Sequence, residues 1–370
     1  MEILQFGLCE KIGGIETYLR KINDNIDRDC FHFSFIDMTG ENGHPAFKEH
    51  FLETGCDFYK VCPRNVSILQ NRKDLERLFS EHHFDVLHFS ANTLSYMAPV
   101  YVALRHGCAV IVHSRSANYA AHGITKVLDY YNKMRLKHMH VARIGVSKEA
   151  CDWMFSPINQ SVVYPNGVDT VKFRFSAESR SAIREALGCD DKLVIGNVGR
   201  FTLGKNQEYA IEIFEKIKQI KKNAVLWFVG AGSEMNRIKE LAKSKGLSDD
   251  VFFLGQRDDL PMLFSGMDMH LFTSEFEGLG NVLIEAQTSG LPCLSSNRVP
   301  SITQITNHAE FMPLEESPDI WAKRLVKMIE NSRIDRENAY KVIEEKGWSV
   351  QKEIERLENL YTKVAQGDLS

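Results

Sequence analysis

The stretch "LVIGNVGRFTLGKNQEYAIEIF", residues 193–214, holds one complete structural unit. Leu193 to Val198 is an apolar run with β-branched residues, of the length of a strand covered on both faces. Gly199-Arg200 ends it, a short loop carries Lys205, and Gln207 to Phe214 brings apolar residues back at helical spacing. A strand that feeds a helix is half of a βαβ crossover, so its recurrence predicts a parallel sheet covered by helices.

The unit recurs on both sides. Downstream stand "AVLWFVG", "VFFLG", "DMHLFTS", "PCLSS" and "EFMPL"; upstream stand "EILQFGL", "HFSFID", "DVLHFS", "AVIVHS", "ARIGVS" and "SVVYPN". Amphipathic stretches separate most of them. At 370 residues the chain exceeds what one core usually supports. The rhythm restarts after a polar, charged segment, which predicts two Rossmann-like halves, 1–175 and 190–348, with a linker near 172–190. The tail "SVQKEIERLENLYTKVA", 349–365, reads as a last amphipathic helix.

A formal charge of −4 gives no global attraction to nucleic acid, so an anionic ligand must be met by local cations. The eight cysteines form no C-x-x-C pair, which argues against zinc and thioredoxin-like motifs and fits a reducing compartment. The N-terminus enters its first strand without a basic and apolar leader. The longest uncharged stretch, 89–104, is shorter than a membrane span and carries Ser, Asn and Thr. A cytoplasmic protein is expected. Asp27-x-Asp29 follows a helix rather than a strand, and "HMH" at 138–140 and His82-His83 lack a third ligand at a readable spacing, so no metal site is expected.

Four loops carry chemistry. "GLCEKIGGIETYLRKI", 7–22, sets Gly13 and Gly14 before a helix, where backbone N–H groups can approach an anion; a tight turn would use the same glycines. Arg200 and Lys205 follow a strand, a position that suits a diphosphate: Arg as a fork, Lys as a point charge. "VGAGSEMNRIKELAKSKG", 229–246, repeats the pattern with Gly230-x-Gly232, which a plain βα turn also explains. The most specific is "EFEGLGNVLIEAQTSGLP", 275–292. Glu277 precedes Gly278 and Gly280, and Glu285 sits on the second turn of a helix starting near Asn281. Carboxylates accept hydrogen bonds from vicinal hydroxyls, and a helix start favours phosphate, so the segment has the shape of a site for a nucleotide diphosphate sugar.

The order of these pieces resembles the retaining glycosyltransferases of family 4, the "glycosyl transferases group 1" type of bacterial polysaccharide biosynthesis. The resemblance rests on "GGIETY", "VIVHSR", "IGVSKEA", "VVYPNGVDTVKF", "GNVGRFTLGKNQ", "VGAGSE", "FLGQRDDLP" and the 275–292 segment, and so spans the whole chain. It implies the α/β GT-B fold: two Rossmann-like domains facing a central cleft, the C-terminal helix (about 349–370) crossing back to the first. It implies a catalytic set of Glu277, His113, Arg200 and Lys205. Glu277 would hold donor hexose hydroxyls, Glu285 the ribose, and Arg200 with Lys205 the diphosphate. Gly13 and Gly14 would approach that diphosphate from the N-terminal domain. The backbone of Leu279, Gly280 and Asn281 would cap it, Gly199 and Gly230 would border it, Gln256 and Arg257 would face the base, and His113 would touch the transferred sugar. Many members continue this histidine with Asp or Ser-His; here the chain reads "HSR", and Arg115 has no assigned role.

The same resemblance implies a UDP-sugar donor ahead of a GDP-sugar, a hexose or N-acetylhexosamine, a saccharide acceptor on a polyprenyl diphosphate carrier, and no metal cofactor. A glycosidase needs carboxylates across a scissile bond and has no use for a diphosphate grip. A GT-B epimerase or phosphorylase and a non-catalytic nucleotide-sugar-binding module remain as alternatives. Finally, "KVLDYYNKMRLKHMHVAR", 126–143, sets Lys126, Lys133, Arg135, Lys137 and Arg143 among apolar residues. It reads either as a helix lying on an anionic membrane surface or as an ordinary amphipathic helix with its apolar side buried.

Overall fold

The computed structural model describes residues 1–40, 43–118, 123–156 and 160–369. The chain divides into two compact units, Met1–Asn166 with Val350–Ser370, and Gly167–Ser349.

In the first unit, seven parallel strands run in the order β3-β2-β1-β4-β5-β6-β7 among the described residues. They are β1 (Glu2–Phe6), β2 (His32–Asp37), β3 (Asp57–Lys60), β4 (Val86–Ala91), β5 (Ala109–Ser114), β6 (Ala142–Gly145) and β7 (Val162–Val163). β4 is buried at every position because apolar layers cover both faces, and this is why its sequence shows no polar alternation. Side chains alternate between the layers. Leu4, Leu87, Phe89 and Val110 pack with Leu75, Val100 and Met154 on one side, whereas Ile3, Phe33, Val86 and Ile111 pack with Leu19 and Ile22 on the other.

The C-terminal helix, Val350–Ala365, belongs to that second layer. Val350, Ile354, Leu357, Tyr361 and Val364 recur at spacings of three and four and are all buried there. Each such side chain contributes roughly 1.5–3 kcal/mol of transfer free energy before conformational entropy is charged against it. The helix therefore completes the core of the first unit.

In the second unit, β8 (Leu193–Val198), β9 (Ala224–Val229), β10 (Val251–Phe253), β11 (Met269–Phe272), β12 (Cys293–Ser296) and β13 (Ala309–Met312) form a parallel sheet in the order β10-β9-β8-β11-β12-β13. Strand order reverses between β1 and β4 in one sheet and between β8 and β11 in the other. In open α/β sheets, ligands bind outside the carboxyl ends of the strands at such points.

The structure differs from the sequence reading between 167 and 190. The units meet at Asn166/Gly167, and the expected linker contains the helix Ala177–Ala186. Ser176 caps it, its hydroxyl accepting from the Ser179 N–H at 3.0 Å. Two of its arginines turn inward: Arg180 Nη2 donates to Asp268 Oδ1 at 2.5 Å and Arg184 Nη1 to Asp268 Oδ2 at 3.2 Å. A polar composition here marks a docked helix, and the segment is part of the second unit.

Candidate active site

Arg200 and Glu277 stand on the two loops that flank the reversal point of the second sheet, after β8 and β11. Lys205 ends a short 3-10 turn, Leu203–Lys205, and its ammonium forms a salt bridge with the Glu277 carboxylate. The backbone fixes this meeting. Glu275 N–H donates to Gly204 O at 2.9 Å, and Thr273 Oγ1 donates to Asn206 O at 2.9 Å. Phe276 closes over Gly204 so tightly that a Cβ there would lie 2.7 Å from its ring. Arg200 is exposed beside the pair.

The helix Asn281–Thr288 begins at Gly280, which has φ 90°, a left-handed conformation that favours glycine. No side chain caps this start and no acid lies in its first turn, so its N–H groups suit an anion. Glu285 is partly buried and Asn281 exposed. The Leu279 side chain is buried, which leaves only its backbone for a ligand.

Two expected donor contacts have other employment. Gly230, with φ +137°, would bring a Cβ to 2.0 Å from Gly199 O, and Gly232 one to 2.2 Å from Phe201 O. These glycines allow the loops after β8 and β9 to pack on each other, so the plain-turn reading accounts for them. The Arg257 fork is engaged by Asp259, with Nε donating to Oδ1 at 2.7 Å and Nη2 to Oδ2 at 2.5 Å. Exposed Gln256 lies next to it.

In the first unit, Gly13 precedes the helix Gly14–Asn25, whose start has no side-chain cap. A Cβ on Gly14 would meet nothing within 4 Å among the described residues, so their packing does not require glycine there. Glu16, the acid of that first turn, is buried and turned aside: its Oε1 accepts from the Cys9 N–H at 3.2 Å and from Cys9 Sγ at 2.9 Å.

His113, at the end of β5, is fully buried. Its Nε2 lies 3.2 Å from Arg115 Nη1, and its Nδ1 lies 3.0 Å from His88 Nε2. His88 Nδ1 in turn lies 2.7 Å from the hydroxyl of Tyr361 on the C-terminal helix. Arginine can only donate, so His113 Nε2 accepts and its proton sits on Nδ1, which donates to His88 Nε2. The His88 proton then sits on Nδ1 and goes to Tyr361. Exchanging the ends of the Gln5 amide, whose Oε1 otherwise has no partner, lets the Tyr361 hydroxyl donate to it in the same direction. Burial first, then the Arg115 cation, holds His88 down to about 3 and His113 well below the ordinary histidine range, as a neutral relay requires. Both ring nitrogens of His113 are engaged within the unit, by Arg115 and by His88. Sequence reasoning missed His88 and Tyr361 because a histidine in an apolar strand and a tyrosine at a helical core position look like packing.

The helix Ile124–Leu136 inverts the expected polarity. Asp129 and Asn132 face inward, Asp129 Oδ1 accepting from Thr93 Oγ1 and from the Leu94 N–H, each at 2.7 Å, and Asn132 Nδ2 donating to Leu94 O at 2.6 Å. Ile124, Val127, Leu128, Tyr130, Tyr131 and Met134 are exposed. The cations are not a uniform basic face. Lys133 Nζ pairs with Asp129 at 3.1 Å and donates to Trp153 O at 2.8 Å; Arg143 Nη2 donates to Leu136 O at 2.7 Å and Met139 O at 2.9 Å. Lys126 and Arg135 are exposed and Lys137 is partly so.

None of the eight cysteines forms a disulfide. Among the described residues no group of three His, Cys, Asp or Glu is placed to hold a metal ion, and no helix is long and apolar enough to cross a membrane.

Two doubly wound parallel-sheet units, the second with cations and a carboxylate at its reversal point, define the GT-B class of glycosyltransferases. The chain belongs to the group 1, family 4 members of that class: the family described as Glycosyl transferases group 1 matches residues 179–346, and Glycosyltransferase Family 4 matches residues 12–172. It is 25% identical over 370 residues to the Bacillus subtilis glycosyltransferase EpsF, covering 96% of this chain and 95% of that one. It is 25% identical over 326 residues to the Escherichia coli UDP-Gal:alpha-D-GlcNAc-diphosphoundecaprenol alpha-1,3-galactosyltransferase, covering 82% of each. The crystal structure of Anabaena HepE in complex with UDP superposes with a TM-score of 0.78 at 20% identity, covering 98% of this chain and 100% of that one.

Proposed function

We propose that this glycosyltransferase moves a hexose or N-acetylhexosamine, with retention, from a UDP-sugar to a lipid-linked saccharide in the synthesis of a cell-surface glycan. The observation that carries the reading is the Lys205–Glu277 pair at the reversal point of the second sheet, with exposed Arg200 beside it and an uncapped helix start following in the chain. A UDP donor is supported by relatives that use or bind UDP compounds, and a polyprenyl-linked acceptor by the E. coli relative's diphosphoundecaprenol substrate.

In this reading the bond between the sugar's anomeric carbon and the diphosphate breaks as the acceptor oxygen bonds to the same face. The acceptor's proton passes to the departing phosphate oxygen. Negative charge grows on the leaving diphosphate, where Arg200, Lys205 and the helix start lie ready before reaction; preorganised contacts of this kind are worth about 3–4 kcal/mol of barrier each. Glu277 and Glu285 position sugar and ribose hydroxyls rather than act as an acid and base. The two cations supply the charge a metal would bring, so turnover is expected to persist in EDTA. Lost turnover that Mg²⁺ or Mn²⁺ restores would remove that part of the reading.

We assign the protein to the inner face of the cytoplasmic membrane, held there by the exposed apolar face of Ile124–Leu136. The donor assignment is tested by a thermal-shift screen of nucleotide sugars. A true donor at a hundred times its Kd adds about 2.7 kcal/mol of stability. No shift with any UDP-sugar, and one with a GDP-sugar, would replace the donor.

A further inference from the structure

We propose that Arg115 is a phosphoryl-recognition residue of the first unit, presented by the relay His113–His88–Tyr361. The inference rests on the glycosyl-transfer reading for its biological setting but not for its geometry, which lies wholly within one unit.

Arg115 directly follows β5, at the carboxyl edge of its sheet. Both hydrogens of Nη1 are committed: one to His113 Nε2 at 3.2 Å, the other to Asn166 Oδ1 at 3.0 Å. One face of the guanidinium lies on the Tyr18 ring, with Cζ 3.7 Å from the ring centroid. The edge formed by Nε and Nη2 has no hydrogen-bond partner among the described residues. That edge presents two parallel N–H donors, the arrangement that matches two oxygens of a phosphate.

The surroundings ask for an anion. Arg115 is only partly exposed, and the enclosure lowers its pKa, as expected for a cation with incomplete compensation. The Glu353 carboxylate is close enough to be felt electrostatically, but its salt bridge is with Lys21. Tyr18 is one helical turn beyond Gly14, and helical side chains lean toward the N-terminus, so the ring on which the guanidinium stacks belongs to the uncapped end of this helix. Glu16, which would oppose an anion there, is occupied by Cys9. The free N–H groups of the turn and the free edge of Arg115 thus serve the same kind of ligand from two directions.

The relay explains why the arginine is held in this way. A neutral His113 that must accept at Nε2 fixes the rotation of the guanidinium. The proton order starts at Arg115, which can only donate, and Tyr361 on the C-terminal helix closes it by accepting from His88. His113, His88 and Tyr361 are therefore positioning residues, and Arg115 is the group that touches ligand. The phosphoryl group belongs either to the donor's diphosphate or to a phosphate on the acceptor's carrier.

Calorimetric titration of the full chain with pyrophosphate, with UDP, and with pyrophosphate after saturation by UDP separates these sources. Arg115→Gln is expected to weaken pyrophosphate about tenfold or more, with R115K restoring part of the loss because it keeps the charge but not the paired edge. If the loss falls on UDP as well, and UDP competes with pyrophosphate, the donor supplies the group. If UDP binding is unchanged and the UDP-saturated protein still takes pyrophosphate through Arg115, the acceptor supplies it. His113→Leu is expected to reproduce the loss, whereas His113→Gln, whose amide oxygen can accept from Arg115, restores it; a merely structural role would not distinguish them. Wild-type protein that fails to bind pyrophosphate, or R115Q that binds both ligands within twofold of wild type while circular dichroism shows it folded, overturns the proposal. Failure of the wild type to turn over any nucleotide sugar would instead count against glycosyl transfer and leave the pyrophosphate result standing.

Discussion

The ammonium of Lys205 and the carboxylate of Glu277, 72 positions apart in the chain, neutralise each other at the reversal point of the second sheet. A donor sugar whose hydroxyls donate to Glu277 and a diphosphate that takes charge from Lys205 must share what these two now give to one another. Glu277→Ala is expected to lower turnover about a hundredfold or more, and Lys205→Ala to raise the donor KM. Because the residues touch, the double variant should lose less than the sum of the single losses. Steady-state kinetics at saturating donor is the measurement, and full activity in the Glu277 variant would sink the assignment.

Gly14 offers a cleaner separation of ligand from scaffold. No atom of the described residues would obstruct a Cβ at this position, so Gly14→Ala should leave the melting temperature unchanged or raise it, through the smaller entropy of the unfolded chain. Donor affinity should nevertheless fall about tenfold, a loss of roughly 1.4 kcal/mol, if a phosphate approaches the backbone there. Unchanged affinity would reduce the paired glycines to a turn.

Much of this was legible in the sequence. Among the described residues, twelve of the thirteen strands coincide with apolar runs, because strands covered on both faces carry few polar residues. β3 was missed: "DFYK" is short, with exposed ends and only partly buried Phe58 and Tyr59. The helix Ala177–Ala186 reads as a linker in sequence because its inward arginines resemble a solvated surface. Similarly, 126–143 showed its composition but not its orientation, since Asp129 and Asn132 find partners inside that no local pattern reveals. Glu277, Arg200 and Lys205 were readable because their loops follow strands, whereas the Arg115 relay joins segments hundreds of residues apart.

His270 sets a pH response. It is fully buried in β11, neither ring nitrogen has a hydrogen-bond partner among the described residues, and burial holds it down to about 3. Above about pH 6.5 both folded and unfolded histidine are neutral. Below it the unfolded chain takes up a proton that the native state refuses, so stability falls by about 1.4 kcal/mol per pH unit toward pH 3. His88 should add a similar slope. Urea unfolding at pH 7.5 and pH 5 should show His270→Phe losing about 2 kcal/mol less than wild type over that interval. Equal losses would refute the account.

The exposed face of Ile124–Leu136 predicts association with vesicles that depends more on apolar contact than on the basic count. Val127→Ser with Tyr130→Ser and Tyr131→Ser should reduce co-sedimentation with anionic vesicles about tenfold or more, since each removes exposed apolar surface. Lys126→Glu with Arg135→Glu should weaken it further and add salt sensitivity. Lys133 is a poor test, because its ammonium is held by Asp129 and Trp153. Wild-type protein that ignores anionic vesicles at low salt would rule this face out as the membrane contact.

The first unit takes its strands from residues before Asn166 and its last core helix from residues after Ser349, so the second unit is an insertion within it. Ribosomes deliver the chain in one direction. The second unit is complete in sequence before Val350 has been made, whereas the first must wait, with Ile3, Phe33 and Ile111 lacking their final cover, until Leu357 and Tyr361 emerge. The nascent chain therefore carries an open apolar layer through most of its synthesis. Tyr361, the far end of the relay that holds Arg115, is made only after the whole sequence of the second unit, so the relay cannot close before then.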